Sequence, residues 1–353
     1  MGNSLCMKVR KEYGEKARVL LSAQGLLDRQ RKIKPEGMWI LIPLLRPVDA
    51  SISGKLGCLG DAEVIEAELP PAQSRSKTLE SILRGSVPDG LAELLPKSYD
   101  AIGDIIVLES LDPQLAPYKS DVGRSLLEIN PGAKTVLLKS GKVDGKFRVP
   151  SHELLAGEDK RATVHLEHGI RLKVDVSKAY FSPRLGSERH RVAGQVADGE
   201  TVVDLFAGIG PFSLMIAKRS KARVYSIDLN PEAISLLKEN ISMNKLRGEV
   251  IPILGDAAEA AERLGRVADR VIMNLPGSSL DFLGSASKVL KAEGGMIHVY
   301  VFSRGDAIRE ASAQFMDASV NLFRRREIRI ARLVKQVAPR EWQVALDVWA
   351  MPV

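Results

Sequence analysis

The chain has 353 residues, 45% of them hydrophobic, which suits two or three folded domains and excludes a disordered polar segment. Its 51 Lys and Arg exceed 44 Asp and Glu, a formal net charge of +7 that fits a polyanionic partner as well as it fits a merely basic enzyme. Cys6 and Cys58 are far apart with no Cys or His at ligand spacing, so neither a metal site nor a disulfide framework is indicated. With no long apolar run and no signal-like N-terminus, the expectation is a cytoplasmic protein without a membrane segment.

Three segments follow in chain order. The first, residues 1–69, reads as a small α+β module: strand CMKVR, helix EYGEKARVLLSAQGLL, basic turn DRQRKIKPEG, then the apolar strand MWILIPLL. Pro70, Pro71 and AQSRSK look like a linker. The second, residues 70–175, is mostly β with a few helices: LESILRG and LAELL helical, DIIVLES and KTVLLKS strands, and alternating runs in RATVHLEHG and IRLKVDVS. From residue 176 to 353 the rhythm changes. Strand TVVDLFAG, helix PFSLMIAKRS, strand ARVYSIDLN, helix PEAISLLKENISMNKL, strand EVIPILGD, helix AAEAAERLG, strand DRVIMNLP, helix SSLDFLGSASKVLKAEG and strand GMIHVYVF alternate. Such alternation predicts an α/β domain with a parallel-rich sheet covered on both faces.

Asp204-Leu-Phe-Ala-Gly208-Ile-Gly210-Pro-Phe212 lies where the first of these strands meets the first helix. Glycines there let backbone approach a ligand, and the helix N-terminus offers free N–H groups. About 20 residues on stands Asp228, at the position of a carboxylate that grips ribose hydroxyls. A dinucleotide fingerprint needs glycine at 213, where the chain has Ser213, so NAD is the lesser reading.

The D-x-F-x-G-x-G-x-F run resembles the first motif of class I S-adenosylmethionine-dependent methyltransferases. On that resemblance Asp228 holds the ribose, Asp256 in LGDA faces the adenine amine, and Asn274-Leu275-Pro276 closes the fourth strand as the tripeptide that presents a side-chain carbonyl to a planar acceptor. Each piece alone has a plainer reading: Asp228 as a cap for the helix from Pro231, and Asn274-Leu-Pro as a loop. Nearly the whole chain resembles the archaeal and eukaryotic tRNA (guanine-37) N1-methyltransferases, through CMKVRKEYGEKARVLL, GKFRVPSHELLAGE, AYFSPRLGSERHR, VVDLFAGIGPFSLMIAK, DLNPEAISLLKENISMN and NLPGSSLDFL. YFSPRLG-x-ER is the most specific of these.

That resemblance implies a Rossmann-like methyltransferase domain behind two smaller α+β modules, S-adenosyl-L-methionine as cofactor, tRNA with G37 as substrate, and a monomer. Guanine N1 carries a proton, so methylation requires a base for it and a cation for the charge that moves to O6. The resemblance casts Glu188 as the base, Arg148 as the cation, Asn274 as acceptor from the guanine edge, and Tyr180 and Pro276 as its flanks. It implies cofactor contacts at Asp204, Phe206, Gly208, Gly210, Asp228, Leu229, Asp256, Asn274, Pro276 and Arg189, and phosphate contacts at Arg184 and Arg189. The plainer reading of SPRLGSER is a surface loop with an ion pair. Two basic stretches suit a phosphate track: Arg29, Arg31, Lys32 and Lys34 in the first module, where the resemblance implies docking on the outer corner of tRNA, and Arg324, Arg325, Arg326, Arg329, Arg332, Lys335 and Arg340 near the end.

Three rivals stay open at this stage: methylation of a tricyclic wyosine precursor at the same tRNA position, an NAD(P)-dependent oxidoreductase, and a non-catalytic RNA-binding protein.

Overall fold

The computed structural model describes residues 4–28, 30–48, 61–70, 78–140 and 151–353. Cys58, Arg29 and Arg148 lie outside the described residues. The chain divides into two compact units, Met1–Ile82 and Leu83–Val353.

In the first unit β1 (Ser4–Arg10), α1 (Gly14–Ala23), β2 (Lys34–Glu36), β3 (Trp39–Pro43) and β4 (Glu63–Ala67) build an antiparallel sheet in the order β2-β3-β1-β4. Alternation in β1 sends Met7 and Val9 to the face covered by Ala17 and Leu21 of α1. The helix predicted to run to Leu27 stops at Ala23, because Gly25 takes a left-handed turn, φ 65°, and Leu26 turns back into the core.

Beyond the single-turn helix α2 (Leu79–Leu83), the second unit begins with β5 (Asp100–Ile102), β6 (Ile105–Leu108), α3 (Lys119–Ile129), β7 (Thr135–Ser140) and β8 (Ser151–Gly157), a four-stranded sheet in chain order. The hairpin β9 (Ala162–Glu167) and β10 (Ile170–Asp175) forms a sheet of its own. Then come α4 (Gly186–Ala193), β11 (Thr201–Asp204), α5 (Pro211–Arg219), β12 (Arg223–Asp228), α6 (Pro231–Ser242), β13 (Glu249–Leu254), α7 (Ala257–Leu264), β14 (Arg270–Met273), α8 (Leu283–Val289), β15 (Gly295–Arg304), α9 (Ala307–Ala318), β16 (Phe323–Ala338) and β17 (Glu341–Pro352). Asn240 of α6 and Asn244 just beyond its end use their amides as substitute strand partners for β10: each accepts from and donates to one backbone residue, Lys173 and Arg171 respectively. The hairpin is thereby tied to the α/β layer.

The large sheet runs β13-β12-β11-β14-β15-β17-β16. Its first five strands are parallel; β17 is antiparallel to β15, and β16 antiparallel to β17. Counted from β11 this is the order 3-2-1-4-5-7-6, a doubly wound sheet with a reversed strand inserted before the edge. A dinucleotide-binding sheet has the order 3-2-1-4-5-6 with no such insertion. The nine alternating elements of the sequence reading are all present, although SSLDFLGSASKVLKAEG forms a 3-10 turn at Ser279–Phe282 and then only the short α8. Strands β8, β16 and β17 and helix α9 were not anticipated from the sequence. Four register shifts along the β16–β17 pairing break the alternation by which so long a strand is recognised.

Candidate active site

Strand order reverses between β11 and β14, and in open α/β sheets ligands bind off the carboxyl ends of the strands at such a switch point. Four sequence-predicted residues stand at those ends: Asp204, Asp228, Asp256 and Asn274. The turn after β11 requires its glycines. Gly208 and Gly210 have φ of 55° and 85°, and a Cβ on Gly210 would lie 2.2 Å from Leu237 Cδ1. A Cβ on Gly208 would meet only Tyr180 O at 3.8 Å, so that face of the turn is open for a ligand.

Asp228 Oδ2 accepts from Gly208 N at 2.7 Å and Oδ1 from Asn230 N at 2.9 Å. The cap of α6 is Asn230, whose side chain accepts from Glu232 N, so Asp228 is freed from the capping role. Burial raises the Asp228 carboxyl against the opposing pull of these backbone donors. Asp204 is 1% exposed, with Oδ2 accepting from Ser213 Oγ at 2.9 Å and Oδ1 without a hydrogen-bond partner. Burial pushes its carboxyl up to about 7. Ser213, which spoils the dinucleotide fingerprint, therefore serves as a donor to the carboxylate under the turn. Asp256 caps α7, Oδ1 accepting from Ala258 N and Glu259 N. Leu229 is half-buried beside Asp228, and Phe206 packs edge-on against Phe282 with centroids 4.9 Å apart.

The Asn274-Leu275-Pro276 turn is knotted by residues the sequence reading passed over. Ser279 Oγ accepts from Leu275 N and donates to Met273 O, Pro276 O accepts from Phe302 N, and Gln343 Nε2 donates to Asn274 Oδ1 at 3.2 Å. Gln343, 2% exposed, is a polar residue in the apolar strand WQVALDVWA, a signal the sequence reading did not use: buried amides are paired.

The AYFSPRLGSERHRV stretch becomes a 3-10 turn at Pro183–Leu185 leading into α4. Tyr180 is exposed while Glu188 is 1% exposed. Glu188 Oε1 accepts from Arg191 Nε at 3.0 Å and Nη2 at 2.6 Å, and from Tyr300 Oη at 3.1 Å. Near Oε2 stands Arg332 Nη1, at 3.6 Å, from a half-exposed side chain of β16. Because Tyr300 lies two residues from Phe302 on β15, the acidic residue and the Asn274 turn are attached to neighbouring points of one strand.

Two expectations are corrected here. Arg189 is not free for phosphate or cofactor: its guanidinium is buried, forked onto Glu167, bonded to Ser182 O at 3.1 Å and stacked 5.2 Å from the Phe181 ring centroid. A buried charge needs its partner, and here helix phase turns Arg189 inward. Arg326 is also committed, to Met316 O at the end of α9 and to Ser319. Arg325 lies exposed over Trp349, and Arg184 pairs with Asp100 at 2.5 Å. In the first unit Arg31 stands 3.7 Å from Asp28, and Lys32 N donates to Pro70 O. Among the described residues there is no His/Cys/Asp/Glu cluster suited to a metal and no helix long and apolar enough to cross a membrane.

The reversed seventh strand, the open glycine turn, and the Asn-Leu-Pro turn on the fourth strand define a class I methyltransferase domain. Residues 163–326 match the TRM5/TYW2 methyltransferase domain, residues 79–160 the TYW2 N-terminal domain and residues 6–52 the tRNA methyltransferase 5 N-terminal domain. The tRNA (guanine(37)-N(1))-methyltransferase Trm5b of Pyrococcus abyssi is 38% identical over 98% of both chains. A solved complex structure of aTrm5 and tRNALeu is 36% identical, TM-score 0.68, covering 98% of this chain and 99% of that one. Trm5 of Methanocaldococcus jannaschii in complex with adenosine is 35% identical, TM-score 0.64, over 98% of both. The chain belongs to the TRM5/TYW2 family of tRNA methyltransferases.

Proposed function

We infer that the chain transfers a methyl group from S-adenosyl-L-methionine to N1 of guanosine 37 in tRNA. Near-complete alignment with the Pyrococcus abyssi tRNA (guanine(37)-N(1))-methyltransferase carries this reading. The cofactor fits the residues present. Asp228 lies where ribose hydroxyls are gripped, the open face of Gly208 admits backbone approach, and the orphaned buried Asp204 Oδ1 suits an ammonium donor. When bound, it supplies a methyl group on a sulfonium, already a good leaving group.

The chain's own task is to deprotonate and orient the acceptor. Glu188 Oε1 is filled by three donors, so Oε2 is the atom that takes the N1 proton. Asn274, its carbonyl oriented by Gln343, aligns the guanine edge, and Tyr180 and Pro276 flank the base. Arg148 is proposed for the charge at O6, and Arg184, Arg31, Lys32 and Arg325 for phosphates. The target base must leave its stack, a step of a few kcal/mol that is least costly in a single-stranded loop. In this reading residues 1–69 dock tRNA, residues 70–175 contact RNA, residues 176–353 perform the chemistry, and the enzyme acts as a cytoplasmic monomer.

An unmodified G37 transcript incubated with S-adenosylmethionine should yield 1-methylguanosine by mass spectrometry of nucleosides, and an A37 transcript none. Methylation absent from both, with cofactor still bound, would move the substrate to the wyosine precursor. Strand order and Ser213 remove the oxidoreductase reading.

A further inference from the structure

Glu188 is one end of a largely buried chain of polar and charged side chains that crosses three strands, β17, β15 and β14. Arg191 donates to Glu188 and, through Nη1 at 2.5 Å and Nη2 at 2.8 Å, to Asp347 on β17. Asp347, 1% exposed, also accepts from Gln195 Nε2 at 3.0 Å and lies 2.7 Å from His298 Nδ1. His298 Nε2 faces Arg270 Nη1 at 2.8 Å, and Arg270 continues to Glu200. An arginine only donates, so Nε2 accepts, and His298 carries its proton on Nδ1, donating to Asp347. Burial holds that imidazole neutral, while Arg191 and His298 hold the Asp347 carboxyl well below the usual carboxylate range.

Consider the charge when Glu188 takes a proton. A guanidinium flanked by one carboxylate would be left buried and unpaired at that moment, which costs several kcal/mol in a dry site and opposes the transfer. Here Arg191 is flanked by two carboxylates. The cluster of Glu188, Arg191 and Asp347 goes from one net negative charge to neutral, and the arginine is never uncompensated.

We propose that Asp347 is a positioning residue for this reaction: the standing counter-charge of Arg191, which lets Glu188 accept the guanine N1 proton at Oε2 while Oε1 stays fixed. The inference rests on Glu188 being the base. The N1–H bond breaks and the Oε2–H bond forms; the freed N1 electron pair makes the bond to the methyl carbon as the methyl–sulfonium bond breaks, its electron pair remaining on the sulfur of S-adenosylhomocysteine. Among the described residues, the charged or titratable groups paired with Glu188 are Arg191 from α4, Tyr300 from β15 and Arg332 from β16, and Asp347 is the second carboxylate that shares Arg191.

Single-turnover methylation of G37 transcript tests this in the full-length enzyme. Asp347→Asn is expected to slow the step about 100-fold, within the span of general-base contributions, with tRNA and S-adenosylhomocysteine affinity within about twofold. The double variant R191M/D347N, which removes both charges, should be about fivefold faster than D347N alone. A purely structural role for Asp347 would leave it slower. A D347N rate within about twofold of the wild type, or a double variant no faster than D347N, overturns the proposal. If D347N does not fold, Asp347→Glu, which keeps the charge, must outrun the double variant, and failure to do so overturns it equally. Glu188→Gln separates the two levels: full activity there sinks the base assignment itself, whereas an inactive Glu188→Gln beside an unimpaired D347N sinks only the role of Asp347.

Discussion

Asp204 and Asp347 occupy the same sheet, each 1% exposed, and their electrostatics are opposite. Asp204 has only neutral donors beside it, the Ser213 hydroxyl and the Phe206 backbone, and burial raises its carboxyl to about 7. Asp347 has Arg191, Gln195 and His298 around it, and its carboxyl falls far below the ordinary range. Desolvation is the largest influence at both and raises both; only the partners differ. The lesson is that a buried carboxylate on this sheet is as acidic as the cations placed around it, and the two sites serve two ends. In the proposed function one cradles a cationic cofactor and the other sustains a base.

The largest test of the paired side is Glu188→Gln, which keeps the shape and removes the proposed base. Turnover should fall by at least about 1,000-fold with tRNA affinity nearly intact, measured by single-turnover methylation beside filter binding. Lost affinity would make Glu188 structural. Next, Arg189→Ala turns Glu167 from a site like that of Asp347 into one like that of Asp204, and should cost about 3–5 kcal/mol of stability in denaturant titration. A stable variant with weakened tRNA binding would restore Arg189 to the phosphate contacts.

Asp204→Asn probes the unpaired side. The folded carboxyl is raised above its unfolded value of 3.8, so its contribution to stability is fully present below about pH 4 and is lost as pH rises through about 7. Removing the charge should flatten that decline and raise the stability of the cofactor-free protein at pH 8 by roughly 2–4 kcal/mol. Thermal melts of both proteins from pH 4 to 8 measure it, and parallel curves would refute the assignment. Smallest is Arg10→Ala on the first unit, where the Arg10–Asp61 pair is open to solvent at 2.9 Å. Its removal should shift stability by less than about 0.5 kcal/mol, the baseline against which the buried pairs stand out.

Much of the site was legible in the sequence because its signals are local. The glycine turn, Asp228, Asp256 and the Asn274 turn each follow a strand whose apolar run ends within a few residues of them. Asp347, His298, Tyr300 and Gln343 went unmarked, although the first, second and fourth are polar residues set within apolar runs. Such a residue announces only that a partner exists; naming the partner takes the pairing of β15 with β17 and the docking of α4, which are separated in sequence by more than the length of α9 and β16 together. Arg189 and Arg326 misled for the converse reason, since a basic residue in a charged stretch reads as solvated until helix phase or a strand end turns it inward.

The sequence by itself determined the alternation of strands and helices, the conformation of the turn after β11 and the chemical kinds available there. These depend on periodicity, on backbone freedom at Gly208 and Gly210, and on residue type, all of which act within a few residues along the chain. Only the tertiary structure decided the insertion of β17 before β16, the occupation of Glu188 Oε1 by three donors and the counter-charge on Arg191. Those follow from nonlocal strand pairing and from the rule that charges removed from water must find one another across the fold.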